Sequence, residues 1–170
     1  MILVVVDDLA FVTADAIVRA ADETLNPVSP EMSRLDRQAG ERFAALRRVS
    51  TPLDAGAAVV TGGGDLPAPF VLHVVVRDRN VGAGREVVRR ALVSAWQRAG
   101  DWGLSRIAAP LVGVGAGQLS LEESAELLAE TFPDLGQGGC PSELRIVVER
   151  DEDRALVEAI VRRRRSDHAD

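Results

Sequence analysis

The stretch Asp15-Ala16-Ile17-Val18-Arg19-Ala20-Ala21-Asp22 decides how the chain is read. Residues 11–21 are apolar at spacings that suit a short helix as well as a strand, so periodicity alone leaves the segment open. Its surroundings are less equivocal. Ile2–Val6 is a valine-rich apolar run closed by Asp7 and Asp8, the mark of a buried strand. Residues 57–61, closed by Gly62, Gly63 and Gly64, and residues 70–76, 107–112 and 144–148 read as further strands. Helical signals fall between them. Ser29 as cap and Pro30 as first helical residue open a helix whose intermittent apolar face, Met32, Leu35 and Phe43, runs to Val49. Residues 84–100 carry Val87, Val88, Ala91, Leu92, Ala95 and Trp96 on one face, with Gly100 as the stop. Residues 120–131 place Glu122 and Glu123 in the first turn, where they complement the dipole, and Asp151 caps a last helix to about residue 165. Strands alternating with helices predict an α/β fold with a largely parallel sheet covered on both faces. Residues 1–165 read as one domain without repeat or linker, and residues 166–170 as a frayed tail.

Composition removes several kinds of activity. All 20 basic residues are arginine, and the chain has neither lysine nor tyrosine. A Walker P-loop, a Schiff-base lysine and a tyrosine acid are therefore excluded. The net charge of −6 argues against general nucleic-acid affinity. No apolar run approaches membrane-span length and no secretory signal is seen, and the single Cys140 fits a reducing compartment, so a cytoplasmic location is expected. Cys140 and two histidines sit at no metal-ligand spacing, and no cofactor is implied.

The strongest local signal for chemistry is Gly113-Val114-Gly115-Ala116-Gly117, after one expected strand and before a helix. Glycines there let backbone N–H groups converge on an anion, although such a turn is often only a tight connection. The carboxylate pairs Asp7/Asp8 and Asp22/Glu23 lie near strand ends, where hydrogen bonding to a ligand competes with the plainer reading of solvated turns. His73 reads as a satisfied core histidine, and Arg162–Arg165 as a solvated helix end rather than a site for an acidic partner. Trp102 is a surface plug or a stacking surface; Cys140 has no adjacent base.

In order and spacing these pieces resemble the macro domain, a family of ADP-ribose-binding modules, over residues 2–163. Val6-Asp7-Asp8-Leu9-Ala10 stands where the family has Gly-Asp-Ile-Thr, and residues 15–22 resemble its Asp-Ala-Ile-Val-Asn-Ala-Ala-Asn run. Gly56 to Thr61, Leu66-Pro67 and Val71-Leu72-His73 match its middle stretch, and Ile107-Ala108-Ala109-Pro110, the Gly113 loop and residues 121–125 its second phosphate loop and following helix. The resemblance implies a three-layer α/β/α fold with a mixed, largely parallel sheet, and makes residues 16–20 a strand followed by a loop over residues 22–30.

It also implies a ligand site. Asp8 falls on the carboxylate that accepts from the adenine amino group, Leu9 on a neighbouring backbone contact, and Val114, Gly115, Ala116 and Gly117, with Gly113 before them, on the amides that hold diphosphate and distal ribose. The family's two asparagines are Arg19 and Asp22 here, and its first glycine loop is Pro27-Val28-Ser29-Pro30. Met32 takes the place of the hydrolase aspartate, and a thioether neither orients nor deprotonates water. Glu149 and Arg150 replace the aromatic residue that stacks on adenine, and Arg150 could stack its guanidinium instead. The implied function is a non-catalytic binding module for ADP-ribose or a related nucleotide diphosphate. The alternative is a retained fold serving another ligand or a protein partner through residues 26–33 or the Arg162–Arg165 end. A hydrolase using Asp22 or Glu23 as a substitute base ranks last. A first-loop side filled by Val28 or Met32 would favour the alternative.

Overall fold

The computed structural model describes residues 1–80 and 84–169. Five of the six strands run parallel: β1 (Ile2–Val6), β2 (Ala16–Asp22), β4 (Phe70–Arg77), β5 (Arg106–Ala109) and β6 (Glu143–Val148). The sixth, β3 (Ala58–Gly62), pairs antiparallel to β4, giving one mixed sheet in the order β1-β6-β5-β2-β4-β3. Helices α1 (Pro30–Ala39) and α2 (Glu41–Leu46) contact one another, and α3 (Arg85–Asp101) contacts α4 (Leu121–Thr131), which contacts α5 (Asp151–Asp167). Ala16–Asp22 of the quoted stretch thus form an interior strand, every residue from Ala16 to Ala21 being buried, with Asp15 just before it. None of the described helices is long and apolar enough to cross a membrane.

Where element ends differ from the sequence expectation, backbone chemistry explains the difference. The helix expected to reach Val49 breaks at Gly40, whose φ of 85° lies in the region favouring glycine, and resumes as α2. The strand expected over residues 107–112 ends at Ala109, because Pro110 has no N–H for the ladder. Gly100 does not stop α3, which continues to Asp101; Gly103, at φ 66°, follows its end. The cap of α5 is Arg150, with no side-chain hydrogen bond, and Asp151 lies in the first turn instead. That helix continues to Asp167, two residues beyond the expected end at 165, while Asp170 lies outside the described residues. Ser29 and Ser120 cap α1 and α4, the latter in a reciprocal capping box with Glu123.

A charged cluster lies inside the core. Arg19, on β2, is fully buried. Its Nε and Nη2 donate to Asp36 Oδ1 and Oδ2 at 2.7 and 2.8 Å, and its Nη1 lies 3.2 Å from His73 Nδ1. Arg19 and His73 are ladder partners on β2 and β4. His73 Nε2 meets Thr61 Oγ1 at 2.7 Å, and Phe43 stacks on the imidazole and lies under the guanidinium. Arg47 reaches the same Asp36 carboxylate at 3.7 Å. His73 is therefore a core histidine with full partnership. Burial, then the charges of Arg19 and Arg47, hold its pKa well below the ordinary value.

Two predictions follow from this cluster. Asp36→Ala leaves a buried guanidinium without its carboxylate, and chemical denaturation should show a loss of about 3–5 kcal/mol. An Arg19→Met/Asp36→Leu double variant should lose less than that single change. The second concerns pH. Because the folded pKa of His73 is depressed, the unfolded chain takes up the proton first as pH falls below about 6.5. This contribution is complete above that pH and is lost as the pH falls toward the folded value. His73→Gln should flatten the decline of stability between about pH 7 and pH 5, read from urea midpoints.

Candidate functional site

The carboxyl ends of the parallel strands gather the residues of interest, as open α/β sheets do. β1 ends in Asp7 and Asp8, β6 in Glu149, β5 in the glycine loop, and β2 in the loop leading to α1. Asp8 caps a 3-10 turn (Leu9–Phe11), its Oδ1 accepting from Ala10 N at 3.0 Å, and Leu9 packs into the core. A groove of about 450 Å³ opens beside it, lined by Val6, Asp7, Asp8, Arg34 and Glu149. Arg34, on α1, donates to Glu149 across this groove. Sequence reasoning missed Arg34, because its partner lies 115 residues away. Glu31 stands close by, its carboxyl pushed up by burial and then by the Glu149 and Asp8 charges. Three carboxylates and one already paired guanidinium line the groove, so its field disfavours a phosphate.

At the first turn of α1, where Glu31 lines the space together with Met32, the cleft is narrow. The space between the first-loop segment and the second loop is only about 10 Å³, lined by Ala20, Val28, Ser29, Met32, Gly113 and Ala116 among others. That is about one water molecule's worth of room. Met32 is buried, and its Sδ accepts the N–H of Ala20 at 3.3 Å. β5 pairs with β2 at Ala16 and Ile17 before stopping at Ala109, so Ala20 lies beyond the ladder and the thioether covers it. Ser29 accepts from Met32 N, which uses the hydroxyl for the helix cap. A Cβ added to Gly115 would lie 2.9 Å from Ser29 Cβ, so the two loops are already in contact.

The second loop spends part of its backbone on itself. Val114 N donates to Leu111 O, Gly117 N to Val114 O, and Gln118 and Leu119 N to Gly113 O. The amides of Gly115 and Ala116 have no acceptor among the described residues.

Several residues expected to shape the pocket lie elsewhere. Arg19 is in the core and touches no ligand space. Asp22 Oδ1 accepts from Thr24 N, Thr24 Oγ1 and Asn26 N, which ties it into its own loop. Glu23 lines a separate depression of about 280 Å³ with Asp54, Asp78 and Arg79. Arg150 is paired with Asp153 and Glu152 and is not part of the groove lining. Two residues of the basic run are paired, Arg163 with Glu122 and Glu126 and Arg164 with Glu126, while the buried Nε and Nη2 of Arg165 meet no hydrogen-bond partner among the described residues. Trp102 packs obliquely on Phe70 at 5.7 Å while staying exposed.

A mixed sheet with a glycine loop and an acidic groove at its carboxyl ends defines an α/β ligand-cleft module. The Macro domain family model matches residues 18–128, and the chain belongs to the macro domain family. An uncharacterized protein of Mycobacterium tuberculosis is 26% identical over 121 residues, 71% of this chain and 34% of that protein, so the chain spans about a third of that relative's length. The O-acetyl-ADP-ribose deacetylase 1 of Pantoea vagans is 28% identical over 137 residues, 77% of this chain and 80% of that protein. A Trypanosoma brucei macrodomain solved in complex with ADP superposes with a TM-score of 0.80 at 20% identity, covering 94% of this chain and 68% of that one.

If Met32 holds the loops together, Met32→Ala should cost about 2–5 kcal/mol in chemical denaturation, the range for a buried truncation. A change below about 0.5 kcal/mol, the level of ordinary surface substitutions, would show that the thioether is not packed there.

Proposed function

We propose that this chain is a non-hydrolytic macro domain whose diphosphate cleft is closed, and that the part of the family's ligand it still receives is the uncharged nucleoside end, at the Asp8 groove. The contrast between about 10 Å³ at the first-loop side and about 450 Å³ at Asp8 carries this reading. A diphosphate and distal ribose have no room between Ser29 and Gly115, whereas a nucleobase fits beside Asp8 with a carboxylate to accept its amino protons. The relatives that bind ADP or act on O-acetyl-ADP-ribose motivate the choice of ligand class. The absence of hydrolysis rests on Met32, which presents a thioether already hydrogen-bonded to Ala20. It rests also on Asp22, whose Oδ1 is held by its own loop, and on Glu23, which faces another depression.

Met32 filling the first-loop side is the arrangement that favours the alternative, use of the fold for another ligand or a protein partner, over binding of the family's whole ligand, and one experiment separates that alternative from binding of the nucleoside end. Calorimetry should show adenosine binding at least as tightly as ADP-ribose, with the adenosine heat abolished in Asp8→Ala. ADP-ribose binding tighter than adenosine by tenfold, about 1.4 kcal/mol, would mean that the cleft opens and the proposal fails. No heat with either ligand leaves the partner-binding alternative. Release of ADP-ribose from a modified protein, or of acetate from O-acetyl-ADP-ribose, would overturn the non-hydrolytic assignment.

A further inference from the structure

β1 lies at the edge of the sheet, with β6 as its only ladder partner among the described residues. Edge strands normally carry a charge, a proline or a bulge that discourages further pairing. Ile2-Leu3-Val4-Val5-Val6 carries neither charge nor proline, and its register with β6 runs from Ile2↔Leu144 to Val6↔Val148 without a shift. Leu3 and Val6 are exposed, as is Phe11 just beyond the strand. The opposite edge differs, because no residue of β3 is exposed.

The hydrogen bonds at the two ends of β1 fix which way its backbone faces. Leu144 N donates to Met1 O at 2.9 Å, and Asp7 N donates to Val148 O at 3.1 Å. Backbone groups alternate along a strand, so the odd-numbered residues pair with β6. The N–H and C=O groups of Ile2, Val4 and Val6 face the open edge.

We infer that this edge pairs with the same edge of a second copy of the chain, β1 against β1 antiparallel and centred on Val4. This register sets Ile2 opposite Val6 of the second copy and Val4 opposite its own counterpart. All three outward residues then find hydrogen-bonding partners, every apolar side chain faces another, and the two sheets become one. Such a two-fold contact is self-complementary and closes at two copies. Charge selects the antiparallel direction for a chain of net charge −6. In that arrangement Asp7 lies six residues along from its own copy, about 20 Å at about 3.3 Å per residue. That exceeds the screening length of about 8 Å at physiological salt, whereas a parallel pairing would set the Asp7-Asp8 carboxylates side by side. A second copy supplies the same uncharged strand in the matching register, and use of the purified chain excludes a different protein seated on β1.

Sedimentation velocity from micromolar to several hundred micromolar chain should show a dimer whose share grows with concentration. Val6→Pro removes an outward N–H without touching the ladder to β6, and should give a monomer with an unchanged circular dichroism spectrum. Val6→Thr should remain dimeric. A wild-type chain that stays monomeric throughout, or a folded Val6→Pro variant that still dimerises, overturns the inference. Hydrogen exchange on the unmodified chain gives a readout that needs no variant. The Val4 and Val6 amides should slow by tenfold or more as concentration rises, while Leu3 and Val5, bonded to β6, change little. Fast exchange at Val4 and Val6 at every concentration overturns it as well.

Discussion

A guanidinium enclosed in the interior of a mixed sheet is the constraint around which this structure is arranged. Removing a charge from water costs several kcal/mol even after relaxation, and only a close, well-oriented counter-charge offsets that. Arg19 meets the requirement through both oxygens of Asp36, the His73 ring nitrogen and the face of Phe43. Asp36 lies on α1, so that helix cannot move away from the sheet without leaving an unpaired charge in the core, while α2 supplies the ring of Phe43 that covers the guanidinium.

The same constraint narrows the space between the first-loop segment and the glycine loop. Met32 and Asp36 are four residues apart, hence on one face of α1. Asp36 meets Arg19 and Met32 meets the neighbouring Ala20 amide, so a single helix face both neutralises the buried cation and fills the first-loop side of the cleft. Opening that side by shifting α1 would strain the ion pair. If opening breaks it, the cost of about 3–5 kcal/mol would weaken a diphosphate ligand by roughly two to three and a half powers of ten. Arg19 and Met32, the two residues that the resemblance sets against an asparagine and an aspartate of the family, take part in one contact between β2 and α1.

Much of the fold was legible because apolar runs and caps act locally. The strands at residues 2–6 and 70–76, the Ser29-Pro30 start of α1 and the Ser120-Glu123 box depend on near neighbours, and each is found in place. β2 was not legible from its pattern alone, since Arg19 interrupts an otherwise apolar run and its partner is 17 residues away. A lone charge in such a run does carry a signal, because burial there demands a counter-charge. The groove was less legible still: the Arg34–Glu149 contact joins residues 115 apart, and nothing in either neighbourhood announces the other. Pro110 and Gly40 could have been read more strictly, as the end of a strand and the break of a helix.

The glycine loop shows how contacts within the protein can themselves require glycine. In a phosphate-binding loop, glycine allows a ligand oxygen to approach the backbone closely. Here Gly115 allows Ser29 to approach instead, with no space for a Cβ between them. Gly113, at φ 89°, turns the chain so that its carbonyl accepts from both Gln118 and Leu119. Both glycines are required by contacts within the protein, so their presence does not by itself argue for a bound phosphate. The Asp8 groove is different in kind: it is open, acidic and bridged only by a surface ion pair, the sort of contact worth at most about 1 kcal/mol. A ligand that satisfies Asp8 could displace Arg34 from Glu149 at small cost, whereas one that enters beside Met32 must first separate α1 from β2.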